Sequence, residues 1–131
     1  MDETLILVVE DDTVIRELSV DILEALGYRV LQAASGHQAL AMLEQEPNVG
    51  LMMTDLGLPD MDGEELAEKA RKQHPDLPIL LASGHIQNQN LNSQEGLHSL
   101  SQPLGMIGKP FTLDQLRKKI TQMLAPLTTT G

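Results

Sequence analysis

The sequence predicts an α/β domain: a doubly wound sheet of five parallel strands with helices on both faces. Three observations predict it. Short apolar runs alternate with stretches of helical period along the chain, the order expected when a helix links each strand to the next. The runs themselves are continuous rather than alternating, which suits strands covered on both faces. Charges also sit where the runs stop: Glu10-Asp11-Asp12 follow residues 5–9, Asp55 follows residues 51–54, and Lys109 follows residues 106–108. In open parallel sheets ligands bind beyond the carboxyl ends of the strands, so Asp11, Asp55 and Lys109 are expected to converge there.

Residues 5–9, Leu-Ile-Leu-Val-Val, form the first strand. Over residues 13–26, Ile15, Leu18, Ile22 and Leu26 recur at helical spacing, with Asp11 or Asp12 placed to cap the start and Gly27 to end it. Residues 28–33 give the second strand. Ser35-Gly36-His37-Gln38 then has the spacing of a capping box, and the second helix runs to about Glu46, before Pro47. Residues 49–54 are the third strand. Asp62-Gly63-Glu64-Glu65 opens a third helix, with Asp at the cap and Glu at the third position, which stops before Pro75. Residues 77–82 are the fourth strand and 104–108 a looser fifth. Thr112-Leu113-Asp114-Gln115 is another capping box, leading a helix with Leu113, Leu116, Ile120 and Met123 on one face.

Residues 87–103 are rich in Asn, Gln and Ser, and only Leu91, Leu97 and Leu100 could anchor a helix there, so mobility is expected. There is no internal repeat beyond the strand-helix alternation and no linker long enough to divide the chain. One domain over residues 1–125 is expected, followed by a frayed tail at 126–131.

Composition narrows the function. The 131 residues are large enough to bury one core without staples, and are 41% hydrophobic and 21% charged, close to ordinary globular usage. Tyr28 and Phe111 are the only aromatic residues, so the core must be aliphatic. A net charge of −10 leaves no footprint for a phosphate backbone, and direct nucleic-acid binding is not expected. No cysteine is present, which removes disulfides, thiolate metal sites and thiol nucleophiles and fits a reducing compartment. No apolar run approaches the ~20 residues that span a bilayer, and Asp2 and Glu3 replace the basic start of a secretory signal. Cytoplasmic location without membrane contact is the expectation.

Four segments carry a resemblance: Val9-Glu10-Asp11-Asp12, the stretch from Met53 through Asp55, Gly57 and Pro59 to Gly63, then Ala82-Ser83-Gly84, then Gly108-Lys109-Pro110-Phe111. Together, in this order and each at a strand exit, they resemble the receiver domains of two-component response regulators over residues 4 to about 124. The segments around Ser83 and from Gly108 to Leu116 look most like receivers attached to hybrid sensor histidine kinases. The resemblance implies a flavodoxin-like strand order of 2-1-3-4-5. It further implies that Asp55 is a phosphoacceptor, charged from a phosphohistidine on a sensor histidine kinase or histidine phosphotransfer domain. Asp11, Asp55 and the backbone carbonyl of Gly57 would bind Mg²⁺ and Glu10 would hold the metal's waters, an all-oxygen, incomplete cage of the kind that ion prefers. Ser83 would contact one phosphoryl oxygen and Lys109 another, with Pro110 a candidate cis proline. Phosphorylation adds roughly −1.5 to −2 charge at the sheet edge, which would repack the loops after strands four and five and favour a weak dimer.

Some positions depart from that family. Met106 stands three before Lys109, where the family usually carries Tyr or Phe, so the aromatic rotamer switch is absent. Asp60 and Asp62 follow Pro59 and are read as turn and cap residues rather than ligands. His37, His74, His85 and His98 lack metal-ligand spacing and are read as surface residues. Met52, Met53 and Met123 are read as core filling. A Mg²⁺-dependent phosphohydrolase is the rival enzyme class, but such enzymes resemble one another in carrying a second Asp two residues after the nucleophile, where this chain has Gly57. A module that kept the fold and lost the switch is a third reading, opposed by the complete acidic set.

Overall fold

The computed structural model describes residues 4–83, 104–108 and 111–124. Within them five strands and four helices follow in the order β1 (Leu5–Val9), α1 (Thr13–Ala25), β2 (Arg29–Ala33), α2 (Gly36–Gln45), β3 (Val49–Asp55), α3 (Gly63–Gln73), β4 (Ile79–Ser83), β5 (Leu104–Gly108) and α4 (Leu113–Leu124). The strands form one parallel sheet in the order β2-β1-β3-β4-β5, the doubly wound order expected. The stretch between β4 and β5 expected to be mobile, and the tail at 126–131, lie outside the described residues.

Side chains alternate across the sheet, so one run serves two cores. Leu5, Leu7 and Val9 of β1 join Met52, Ile79 and Leu81 under α2 and α3, where Leu43 and Leu66 close the layer. Ile6 and Val8 join Leu51, Met53, Leu80 and Ile107 under α1 and α4, with Leu23, Leu116 and Ile120 facing them. Both faces of β1, β3 and β4 are therefore dry, which is why their sequences read as unbroken apolar runs. Met52, Met53 and Met123 are buried as core filling.

Caps set the helix boundaries. The Asp12 carboxylate accepts from the Ile15 N–H at 3.1 Å, so Asp12 caps α1 and leaves Asp11 outside the helix. At the other end Gly27, at φ +100°, donates to Glu24 O and Tyr28 donates to Leu23 O, the paired bonds of a Schellman ending that a left-handed glycine permits. Asp62 caps α3 through the Glu65 N–H at 2.8 Å. In α4 the box is reciprocal: Gln115 N donates to Thr112 Oγ1 at 3.1 Å and Thr112 N donates to Gln115 Oε1 at 3.0 Å.

Four local expectations are corrected. Leu18 is 57% exposed, while Ile15 and Ile22 of the expected stripe face inward and α1 also buries Ser19, Val20 and Leu23, with Ile15 and Ser19 lining a cavity at the carboxyl edge of the sheet. Leu113 is 44% exposed as the first residue of α4, before the face of Leu116, Ile120 and Met123 reaches the sheet. β4 begins at Ile79 rather than Leu77, because Pro78 has no N–H to give a ladder and Leu77 N is spent on a turn to His74 O. His74 is only partly exposed, and its Nε2 lies 2.9 Å from Leu43 O, tying the end of α3 to α2. No helix among the described residues is long and apolar enough to cross a membrane.

Candidate functional site

Register brings the strand exits to one edge. Val9 pairs with Ala33 and Thr54, Asp55 with Ala82, and Ser83 with Gly108, so the chain leaves β1, β3, β4 and β5 side by side. The backbone turn at the end of β1 is fixed by Glu10 N donating to Ala33 O at 3.0 Å, and that at the end of β3 by Leu56 N donating to Ala82 O at 3.0 Å. The charged groups at these exits are thus held by ladder bonds rather than by loops alone.

Three carboxylates meet there. Ligand oxygens of Glu10, Asp11 and Asp55 lie within 4.8 Å of one another. Glu10 is buried, its Oε2 accepting from Asp12 N at 3.1 Å; Asp55 is half-buried, and Asp11 is exposed. Gly57 N donates to Asp55 Oδ2 at 3.2 Å, which orients the carboxylate. Like charges this close repel by ~1 kcal/mol per pair in water and ~4 at the effective dielectric of a protein surface. A divalent cation removes that repulsion, and a hard, all-oxygen, solvent-open donor set on one side of the ion is the kind Mg²⁺ takes while keeping waters of its own. The residues present fit that ion.

Beneath the acids lies a small cavity lined by Glu10, Asp55, Thr54, Ile15, Ser19 and Phe111, among others. Ser19 and Thr54 are buried polar residues in this wall. Arg16 braces the turn between β1 and α1: its Nη1 donates to Glu10 O at 2.8 Å and its Nε to Gln32 Oε1 at 3.2 Å. Sequence reasoning missed Arg16, Ser19 and Thr54. Arg16 had a signal, since it is the one cation between Glu10 and Gly27; Ser19 and Thr54 had none, being ordinary small residues that only the fold turns toward the site.

Ser83 ends β4, one residue past the partner of Asp55, and Gly108 ends β5 opposite it. Lys109 and Pro110, the other expected members, lie outside the described residues. Asp60 and Asp62 act as caps, as expected, but Asp60 does so at a distance. Its Oδ1 accepts from Gly36 N at 3.0 Å and its Oδ2 from His37 N at 2.9 Å, at the start of α2, with His37 Nδ1 against Oδ2 as well. These N–H donors, Gly36 first, hold the Asp60 carboxyl below the usual range, to about 2.

Comparison with known proteins adds an independent line. The profile of the response regulator receiver domain matches residues 6–121. The sensor kinase CckA of Brucella abortus (strain 2308) is 34% identical over 123 residues, which take in 91% of this chain and 12% of that protein. The response regulator receiver protein CpdR of the same strain is 36% identical over 122 residues, 91% of this chain and 95% of that protein. The chain therefore spans a small part of the one relative and nearly the whole of the other. Among solved structures, a CheY-like response regulator receiver domain protein from Methanospirillum hungatei JF-1 superposes with a TM-score of 0.85 at 33% identity, covering 99% of this chain and 100% of that one.

Proposed function

This chain belongs to the response regulator receiver domains, and from that premise we propose that Asp55 accepts a phosphoryl group from a phosphohistidine. The observation that carries the reading is the meeting of Glu10, Asp11 and Asp55 within 4.8 Å at the carboxyl edge of the sheet. In the transfer a bond forms between an Asp55 carboxylate oxygen and phosphorus as the phosphorus–nitrogen bond to the imidazole breaks. The departing imidazole nitrogen keeps the electron pair and takes a proton from solvent.

Asp11, Asp55 and the carbonyl of Gly57 would bind Mg²⁺, whose charge offsets the crowding of phosphoryl and carboxylate oxygens, and Glu10 would hold the metal's waters. The chain's own groups do the rest. The Gly57 N–H fixes the Asp55 carboxylate, and Arg16 holds the Glu10 backbone so that the acids stay at one height on the sheet edge. The Ser83 hydroxyl would donate to one phosphoryl oxygen and the Lys109 ammonium would pair with another; the β4–β5 register, which ends on Ser83 and Gly108, supports the assignment. The added charge of roughly −1.5 to −2 would then bias the loops after β4 and β5 between two arrangements. Met106, half-buried against the core beside Leu81, fills the place of the family's aromatic residue, so this chain would switch without a ring rotation.

On this reading the chain is a signalling domain that assists its own phosphorylation and dephosphorylation without turning over external substrates. Its partner would be a sensor histidine kinase or a histidine phosphotransfer domain, and residues 1–125 would act as one unit. The test is intact mass after incubation with acetyl phosphate, with and without Mg²⁺, on the natural chain and on Asp55→Asn. A Mg²⁺-dependent gain of one phosphoryl group, lost in the variant, is expected; labelling that survives Asp55→Asn overturns the assignment.

A further inference from the structure

The seven residues from Leu56 to Asp62 connect the Asp55 strand to α3, and they are closed into a ring. Gly63 N donates to Leu56 O at 2.7 Å, and Gly57 and Asp62 form an isolated antiparallel bridge. The tip of the ring does not stand free in solvent. Met61 is 7% exposed and packs on Gly36, where an added Cβ would lie 2.6 Å from Met61 Cγ. Beside it, Asp60 binds the Gly36 and His37 N–H groups across 24 and 23 residues of sequence.

These bonds are more than a helix cap. The first turn of a helix leaves its N–H groups without intrahelical partners, and in α2 those of Gly36, His37 and Gln38 are divided between two acceptors. Ser35 Oγ accepts from Gln38 N at 3.2 Å, and Ser35 O accepts from Ala39 N at 3.0 Å, both within the helix's own sequence. Gln38 Oε1 reaches back to Ala34 N at 2.8 Å. The local sequence thus supplies a working cap of its own, while the remaining two donors are handed to a residue of another loop. Each is a charge-assisted bond at the positive end of a helix, the stronger class.

We propose that Asp60 is a positioning residue for the acidic site: it clamps the ring of residues 56–62 to α2 and so holds Gly57 against the Asp55 carboxylate. Besides its chain ends at β3 and α3, the ring is anchored at Asp60 and Met61, and Gly57 lies between the β3 exit and that anchor. With the polar anchor cut, the ring keeps its bonds to Leu56 and Asp62 but loses the support that fixes its tilt. The Gly57 N–H, which bonds Asp55, and the Gly57 carbonyl, assigned above to Mg²⁺, move together. The second half of this inference rests on the receiver reading; the clamp itself does not.

The experiment uses the full chain and the variants Asp60→Ala and Ser35→Ala. Both remove α2 N-terminal bonds, so a loss that comes only from weakening α2 should follow either change. Amide hydrogen exchange without metal reads the clamp, and a Mg²⁺ titration by calorimetry reads its consequence. In Asp60→Ala, exchange at Gly57 and Gly63 is expected to accelerate, and the Mg²⁺ dissociation constant to rise about tenfold, the low end for loss of an outer-shell partner. Ser35→Ala is expected to leave both at their natural values. Unchanged exchange at Gly57 in Asp60→Ala, or equal changes in Ser35→Ala, would overturn the proposal. A natural chain that binds no Mg²⁺, with exchange still responding to Asp60→Ala alone, would sink the metal reading and leave the clamp standing.

Discussion

A Cβ on Gly63 would lie 2.7 Å from the carbonyl oxygen of Asp55 and 2.9 Å from Leu56 Cα. The first turn of α3 therefore rests on the backbone of the phosphoacceptor candidate, with Gly63 N bonded to Leu56 O. Backbone cannot yield as a side-chain tip can, so Gly63→Ala must push α3 and the end of β3 apart. A loss of about 1–3 kcal/mol is expected, as for other overpacked sites, together with slower labelling of Asp55. Gly105→Ala is the comparison, since its Cβ meets the flexible end of Met123 at 2.9 Å. Urea unfolding should rank Gly63→Ala as the more damaging, and equal midpoints would contradict the contact.

Gly57 carries no such constraint. Its φ is not positive, and an added Cβ would sit 3.8 Å from Asp55 Oδ2, ordinary contact. Larger residues should fold normally there yet crowd the approach of water to a phosphorylated Asp55. Gly57→Met is expected to leave the urea midpoint nearly unchanged and to slow loss of the phosphoryl group roughly tenfold, within the ~10² that a misplaced reactant costs. The natural chain should lose its label fast. A natural phospho-form stable for many hours would contradict this.

The sequence was most legible where one physical demand acted alone. Residues 5–9 had to be dry on both faces, and their run of Leu, Ile and Val said so. The caps at Asp12, Ser35, Asp62 and Thr112 were readable because a side-chain oxygen three residues before an N–H is a local signal. Reading failed where demands overlapped. α1 must cover the core and also wall the acidic site, so it buries Ser19 and exposes Leu18; Ile15 and Ile22 of the expected stripe do face inward, and the spacing misplaced Leu18 alone. Glu10, Asp11 and Asp55 were legible as a site because they end strands, whereas the Arg16 brace and the Asp60 bonds to α2 depend on how loops cross in space. Asp60 read correctly as a cap residue, but not as the cap of a helix that begins 24 residues earlier.

That same exposed Leu18 gives a direct check on α1. Leu23 is fully buried, while Leu18 is 57% exposed. Leu23→Ala is expected to cost about 2–5 kcal/mol, the range for a large core side chain. Leu18→Ala should stay within about 0.5 kcal/mol, as for surface sites. Matching losses in urea unfolding would mean that the helix is rotated from the position described.

Acid should act through Asp60. Its carboxyl, held to about 2 by the Gly36 and His37 N–H groups, titrates below the 3.8 of the unfolded chain. A depressed folded value contributes stability that is present above pH ~4 and is lost as pH falls from there toward 2. Urea midpoints measured down that range should fall less steeply in Asp60→Asn than in the natural chain. Parallel curves would mean that the two N–H bonds are not formed in solution.

The central claim is that the phosphoryl group resides on Asp55, and chemical trapping tests it most directly. The chain is labelled with acetyl phosphate and Mg²⁺, then treated with borohydride, which reduces an aspartyl phosphate to homoserine, and residue 55 is read by peptide mass spectrometry. Homoserine at position 55, absent when Mg²⁺ or phosphodonor is withheld, is the expected result. Homoserine at another acidic residue, or a labelled chain with Asp55 unaltered, would contradict the account.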